Sequence, residues 1–299
     1  MPAVAERIEM ALRASLGVAR AAGHPPRLAA AMQHAVFPGG ARIRPQLVIA
    51  VAIACGDDDP SLADAVAAVI GLLHCASLVH DDLPCFDDAA ERRGQPSVHR
   101  VYGERLAVLA GDALIVSAYQ TLGAGATRHL SRLPMLMQTV CDGVGMPLGI
   151  VAGQAWECES QVDLQDYQRA KTGALFAAAT MAGAQAAGAD PAPWRALGDQ
   201  LGQAYQVADD IRDVVFEPEL LGKPVGQDLA LDRPSSARAL GLEGAFAEFE
   251  RLVDATLAAI PVCRGAAQFR GLIKREADRL VPLSLRQERR TAASQIVAV

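Results

Sequence analysis

Apolar residues recur along most of this chain at helical rather than alternating spacing. Leu47, Ile49, Val51 and Ile53 do alternate, but the segment from Gln46 to Cys55 is nearly all apolar and fits a buried helix better than a half-exposed strand. Ser61 stands as an N-cap before the run LADAVAAVIGLLHCASLVH, with Asp64 at the capping-box position, and this predicts a long, strongly apolar helix. Further long helices are predicted over 104–123, 131–156, 166–188, 194–216, 235–259 and 264–281. Gly/Pro or polar stretches separate them: GGARIRP at 39–45, GDDDP at 56–60, GADPAP at 188–193 and the charged, Gly-rich 217–234. No strand-turn-strand signal, repeat or low-complexity linker interrupts the pattern. The expected fold is therefore all-α, a single helical domain over 1–299.

Composition agrees with that picture. The 299 residues are 51% hydrophobic but only 4% aromatic, with Ala, Leu and Val carrying most of the apolar mass, which favours closely packed helices over sheets. The net charge of −6, without a basic patch, argues against a nucleic-acid partner. Cys55, Cys75, Cys85, Cys141, Cys158 and Cys263 are scattered with no CxxC pair and read as reduced thiols. The N-terminal stretch has no apolar signal-peptide core, and no run is expected to reach the roughly 18 apolar residues of a membrane span. A soluble, cytoplasmic protein is the expectation.

Two acidic clusters change the picture from fold to chemistry. In HDDLPCFDDAAERRG, Asp81, Asp82, Asp87 and Asp88 follow directly on the apolar helix. Carboxylates this close raise one another's pKa and call for cations; hard divalent ions are their natural partners. Pro84 disturbs the helix at Leu83, and that break lets Asp81 and Asp87 converge although six residues apart they share no face of a regular helix. In QVADDIRDVV, Asp209 and Asp213 are i, i+4 neighbours on one face, with Asp210 beside Asp213. Two carboxylate walls with Mg2+ between them would grip a diphosphate from both sides. Basic residues recur near these walls and near Gly-rich turns: Arg42, Arg44, Arg92, Arg93, Lys171, Lys223 and Arg233. Arginine offers a fork of donors suited to phosphate, and lysine a point charge.

Taken together these residues resemble the trans-isoprenyl diphosphate synthases, the family of farnesyl and geranylgeranyl diphosphate synthases, from about Gly39 to Gly244. The two aspartate motifs are joined by GGARIRP, KTGALF, YQVADD and LGKPVG in the family's order. The resemblance implies a helical bundle around a deep central cavity and about three Mg2+ per active site. By position, Asp81 and Asp87 look like the main ligands of the first wall, with Asp82 in support. Asp209 looks like the ligand on the second wall, with Asp210 and Asp213 bound directly or through water. Arg92, Lys171 and Lys223 resemble the residues that hold the allylic diphosphate, and Arg44, His74 and Arg93 those that bind isopentenyl diphosphate. Arg233 is a further candidate for diphosphate binding. Thr172 and Gln206 match polar residues placed along the reacting allyl group, and with Lys171 form the expected catalytic set. His80 is read as a hydrogen-bond partner behind Asp81. Two departures stand out. Ala41 occupies a position where family members usually carry Lys, which leaves Arg42 or a water to substitute. Arg212 stands where Leu is usual, either tied back to Asp209 or pointing away from the cavity.

The implied reaction is head-to-tail condensation of isopentenyl diphosphate with an allylic diphosphate (dimethylallyl, geranyl or farnesyl). Ala76 and Ser77 lie about one turn before Asp81. Both are small, where family members that stop at fifteen carbons often carry an aromatic. The resemblance therefore points to geranylgeranyl diphosphate, of the kind bacterial enzymes supply to carotenoid and chlorophyll-type pathways, and to a homodimer. The alternatives are a farnesyl diphosphate synthase, a class I terpene cyclase and a non-catalytic synthase subunit. Cyclases usually carry a different second motif, and such subunits tend to lose one aspartate motif, whereas both motifs are intact here.

Overall fold

The computed structural model describes residues 3–17, 23–37, 39–57, 59–215, 235–282 and 285–286. The architecture is helical almost throughout. The helices are α1 (Val4–Gly17), α2 (Pro26–Val36), α3 (Ile43–Cys55), α4 (Pro60–Asp81), α5 (Val98–Tyr102), α6 (Glu104–Gly125), α7 (Leu133–Val144), α8 (Ile150–Trp156), α9 (Leu164–Gln168), α10 (Ala174–Ala186), α11 (Ala192–Val215), α12 (Ser236–Ala258) and α13 (Ala266–Leu280).

The central element is α4, which packs against α1, α3, α6 and α10. Leu62, Val66, Val69, Ile70 and Leu72 are all fully buried, so no polar face remains in its middle turns. Fully buried Leu47, Ile49 and Phe176 join them in the main core. A second apolar cluster holds α11, α12 and α13 together through Ala208, Ile211, Phe249 and Leu280.

Several boundaries differ from expectation for local reasons. The cap of α4 is Asp59, not Ser61: Asp59 Oδ1 accepts from the Ser61 backbone N–H at 3.1 Å, with Pro60 in the first helical turn where its missing N–H costs nothing. Asp64 instead accepts from Arg7 Nε at 2.8 Å, tying α1 to α4. The predicted helix over 131–156 divides into α7 and α8 because Gly145, Pro147 and Gly149 interrupt it. Within 166–188 a wide π turn, Arg169–Gly173, separates α9 from α10. A kink at Gly241 (φ 69°) bends α12. Helices α1, α2 and α5 were not expected.

A small hairpin was not expected either. Strands β1 (Glu91–Arg92) and β2 (Gln95–Pro96) pair antiparallel around Arg93 and Gly94, both at positive φ (57° and 71°). Two-residue strands are too short for alternation to register in a sequence. The expectation that no helix could span a membrane also needs correction. Both α4 and the stretch Glu104–Arg128 are long and apolar enough by length and composition. The apolar window of α4 is mostly buried inside the fold, while that of Glu104–Arg128 is only one-third buried.

The cap makes one test of this framework. Asp59 is 3% exposed and also contacts His129 Nε2 at 3.2 Å, so Asp59→Ala is expected to lower stability by about 2 kcal/mol in urea unfolding.

Candidate active site

Helices α3, α4, α11 and α13, the π turn and the acidic turn after α4 enclose a cavity of ≈ 460 Å³. Its first wall begins where α4 ends. The chain folds back there, and the Asp87 backbone N–H donates to the Asp81 carbonyl at 3.0 Å. That bond brings the two residues to one side, as the break at Pro84 allows. Asp81 sits with its side chain 16% exposed, 3.7 Å from both Lys171 Nζ and Arg92 Nη2. Its carboxyl is pushed up mainly by burial; Lys171 opposes that shift and Asp87 adds to it. Asp81 Oδ1 is buried without a hydrogen-bond partner among the described residues.

Asp82 was expected to support the metal ligands, but it does not line the cavity. Two donors of Arg92, Nε and Nη2, converge on its Oδ1, and the residue is 3% exposed. One turn of helix cannot aim adjacent side chains at the same point, so Asp82 holds Arg92 while Asp81 faces inward.

The second wall lies on α11. Asp209, Asp210 and Asp213 all line the cavity. Arg212 settles on the first of its two alternatives, with Nη1 3.6 Å from Asp209 Oδ1. Asp210 is 2% exposed and its oxygens are already occupied. They accept from the Ser236 N–H (2.6 Å), Gln206 Nε2 (3.0 Å) and Gln168 Nε2 (3.3 Å). A carboxylate receiving the first backbone N–H of α12 is well placed against the positive end of that helix. Asp209 and Asp213 are the two carboxylates of this wall that are not tied up in this way.

The cations come from several elements. Arg44 Nη1 donates to His74 Nε2 at 3.1 Å, and its guanidinium lies 4.2 Å from the Phe176 ring centroid. Burial lowers the Arg44 pKa to about 10, which leaves it charged at neutral pH. Burial, then Arg44 and Arg93, hold His74 well below the usual imidazole range, so it is neutral and can accept that bond. Arg93 projects from the hairpin turn. A Cβ on Gly40 (φ 111°) would come within 2.8 Å of Arg93 Nε, so only glycine lets the 39–40 turn pass over it. Arg42 is not free to replace the missing lysine at Ala41. Its Nε donates to Glu9 Oε1 (2.9 Å) and its Nη2 to the Val36 carbonyl (2.6 Å).

The π turn aims Lys171 and Thr172 into the cavity together. Lys171 Nζ also pairs closely with Glu157, which accepts from Tyr167 Oη (2.6 Å) and Gln154 Nε2 (3.0 Å). Thr172 Oγ1 donates to Gln206 Oε1 at 2.7 Å. Sequence reasoning gave no role to Glu157, Tyr167, Gln154 and Arg279, which lie outside the acidic and Gly-rich clusters, nor to Tyr205, which it quoted only as part of YQVADD. His80 turns away from Asp81 toward α6, 3.3 Å from the Val108 carbonyl and 3.7 Å from Asp112. Ala76, one turn before His80 on that same side, is 1% exposed and does not line the cavity, whereas Ser77 does. Lys223 and Arg233 lie outside the described residues.

Among the described residues no three Asp, Glu, His or Cys side chains gather closely enough to hold a metal alone. The donor set nevertheless fits Mg2+, which commonly takes one or two carboxylates and completes its shell with water and phosphate oxygens. Asp81 Oδ1, with no hydrogen bond and only the Lys171 ammonium at 3.7 Å among the described residues, is an oxygen donor of that kind.

Comparison with known proteins places this geometry. The polyprenyl synthetase family matches residues 25–262. The chain is 50% identical to geranylgeranyl diphosphate synthase of Cereibacter sphaeroides, covering 93% of this chain and 96% of that one. It is 46% identical to the enzyme of the same description from Rhodobacter capsulatus, covering 95% and 98%. Among solved structures, an FPP/GFPP synthase from Zymomonas mobilis aligns with a TM-score of 0.78 at 30% identity, covering 92% and 97%. Geranyltransferase from Helicobacter pylori, complexed with magnesium and isoprenyl diphosphate, aligns at 0.73 and 27%, covering 94% and 97%.

The close approach of α8 to the π turn offers a direct test of the site. A Cβ on Gly153 would lie 2.2 Å from the Lys171 backbone nitrogen, so Gly153→Ala must displace the turn that aims Lys171 and Thr172. Catalytic efficiency is expected to fall about 100-fold or more in steady-state assays, in line with misplacement of a reacting group by about 1 Å.

Proposed function

The chain belongs to the polyprenyl synthetase family, and from that premise we propose that it condenses isopentenyl diphosphate head to tail with allylic diphosphates to make geranylgeranyl diphosphate. The observation that carries this reading is the joining of both aspartate walls, Arg44, His74, Arg93, Lys171 and Arg92 around one cavity. A cyclase or a non-catalytic subunit has no use for all of these together.

In this proposal Asp81 and Asp87 on one wall, and Asp209 and Asp213 on the other, hold about three Mg2+, the number the resemblance implies. Bound Mg2+ would neutralise charge developing on the leaving diphosphate. Arg92 and Lys171 grip the allylic diphosphate, Arg92 oriented by Asp82 and Lys171 by Glu157. As the allylic C–O bond breaks, their positive charges stabilise the departing oxygens. The Thr172 hydroxyl and Gln206 amide, fixed by their mutual hydrogen bond, present dipoles to the allylic cation. Arg44, neutral His74 and Arg93 hold isopentenyl diphosphate so that its double bond reaches the cationic carbon. A C–C bond forms, and the proton lost as the new double bond appears passes to the released diphosphate. Closing both walls excludes water, which would quench the cation.

Product length follows from the space beyond the first wall, where small Ser77 lines the cavity. The two bacterial relatives near half identity, both described as geranylgeranyl diphosphate synthases, support the twenty-carbon product. The test supplies purified protein with Mg2+, labelled isopentenyl diphosphate and each allylic starter. A twenty-carbon product is expected, and complete absence of elongation would refute the reading. Phenylalanine at Ser77, or at Ala76 behind it, is expected to shorten the product to fifteen carbons. An unchanged product in both variants would put the limit elsewhere.

The proposal includes a homodimer and a single domain. Val108, Leu109 and Val116 on α6 are 42%, 50% and 56% exposed, and Met135 on α7 is 58% exposed. A second copy of the chain is the occupant we assign to this apolar face. Leu109→Glu with Val116→Glu is expected to halve the mass measured by light scattering; an unchanged mass would place the interface elsewhere.

A further inference from the structure

Arg92 and Arg93 both belong to the hairpin, the smallest element of the fold. Its strands have two residues each, paired as Glu91 with Pro96 and Arg92 with Gln95. So short a ladder cannot fix its own place, and the hairpin depends on what holds it from outside. On the β1 side the outside contact is Asp82, which takes Arg92 Nε and Nη2. On the β2 side it is His34 of α2, a helix none of whose residues lines the cavity.

His34 Nε2 lies 2.7 Å from the Pro96 carbonyl oxygen. A carbonyl only accepts, so this nitrogen carries the proton and donates it. The imidazole also meets the Tyr102 ring of α5 edge to face, with centroids 5.6 Å apart. Arg27, about two turns earlier on α2, donates from Nη2 to the Tyr102 carbonyl at 3.4 Å. Behind the hairpin a small cavity of ≈ 30 Å³ is lined by His34, Asp82, Arg92, Arg93 and Pro96. The hairpin is therefore not packed flush against the core, and the His34 hydrogen bond holds it at the edge of that gap.

Helix α2 ends at Val36, whose carbonyl accepts from the Gly39 N–H (3.3 Å) and from Arg42 Nη2 (2.6 Å). The turn that follows runs so close to Arg93 that only glycine fits at position 40. One stretch of chain thus holds the hairpin twice: Gly40 passes over Arg93, and His34 ties down Pro96. Arg93 lies inside this closed circuit, whereas Arg92 has a separate anchor in Asp82.

We propose that His34 is a positioning residue for Arg93: through the Pro96 carbonyl it sets the hairpin against the 39–40 turn so that Arg93 reaches the cavity. The proposal rests on the prenyltransferase reading above, in which Arg93 holds isopentenyl diphosphate and Arg92 the allylic diphosphate. It makes α2, which touches neither substrate, a determinant of the affinity for one of them.

Steady-state kinetics with the two substrates varied separately test this. His34→Phe keeps a ring against Tyr102 and removes the donor. It is expected to raise KM for isopentenyl diphosphate about fivefold, the worth of one hydrogen bond, with KM for the allylic partner changed less than about twofold. His34→Gln restores an N–H donor and is expected to bring that KM back to within about twofold of wild type. Equal rises in both KM values, no rise in either, or the same rise in both variants would overturn the proposal. If His34→Phe does not fold, His34→Leu, also without a donor, carries the same comparison. Calorimetric titration with inorganic pyrophosphate in EDTA separates this inference from the activity it rests on, because without metal the probe depends on the basic residues of the cavity. Binding about fivefold weaker in His34→Phe and restored in His34→Gln supports the proposal even if the wild-type chain makes no prenyl product. Binding equal to wild type in His34→Phe overturns it even if the chain is an active synthase.

Discussion

Negative charge buried at the end of an apolar helix is the constraint on which the rest of this cavity depends. Helix α4 runs through the core with no polar face in its middle turns and ends on adjacent aspartates. Two carboxylates cannot remain there ionised without compensation. Asp82 resolves its share by taking Arg92 on one oxygen, while Asp81 lines the cavity with Lys171 and Arg92 at 3.7 Å and, among the described residues, no hydrogen bond to its Oδ1. The same division appears on α11. Asp210 is committed to Ser236, Gln206 and Gln168, while Asp209 lines the cavity with a side chain 47% exposed. Each wall thus contains one aspartate committed to structural hydrogen bonds and others that line the cavity.

The helical framework makes those commitments possible. Helix α4 brings Gly71, His74, Leu78 and Asp81 to the cavity along one face, while its opposite sides pack on α1, α3 and α6. The π turn between α9 and α10 widens the rod just enough to turn Lys171 and Thr172 inward together. The hairpin after the acidic turn does the same for the arginine pair: Arg92 points to Asp82, and Arg93, at positive φ, passes beneath Gly40. Departures from regular geometry therefore fall where charged side chains must converge, and regular helices carry the packing load.

The aspartate motifs and Arg44 were legible because charge clusters and Gly-rich turns are local in the chain, whereas His74, Thr172 and Gln206 were legible only through the family resemblance. The positions of long helices were legible too, from their apolar spacing. Ser61 was misread as the cap of α4 because Pro60 moves the helix start back to Asp59. The division at Gly145–Gly149 and the two-residue hairpin were missed because a few residues carry little periodic signal. Glu157 and Arg279 gave no warning, since neither stands in a charge cluster or Gly-rich turn and only packing against another element marks them.

What the sequence by itself determined is the helical architecture and the chemistry gathered in two acidic walls, because helix formation and carboxylate clustering are set by neighbours along the chain. Only the tertiary structure decided which aspartates line the cavity without structural hydrogen bonds and which arginine is spent on scaffolding. It also decided which side of α4 looks into the cavity. Adjacent side chains on a helix diverge by about 100°, and the partners that claim them, Arg92 for Asp82, Ser236 for Asp210 and Glu9 for Arg42, come from elements up to 33 residues away in sequence.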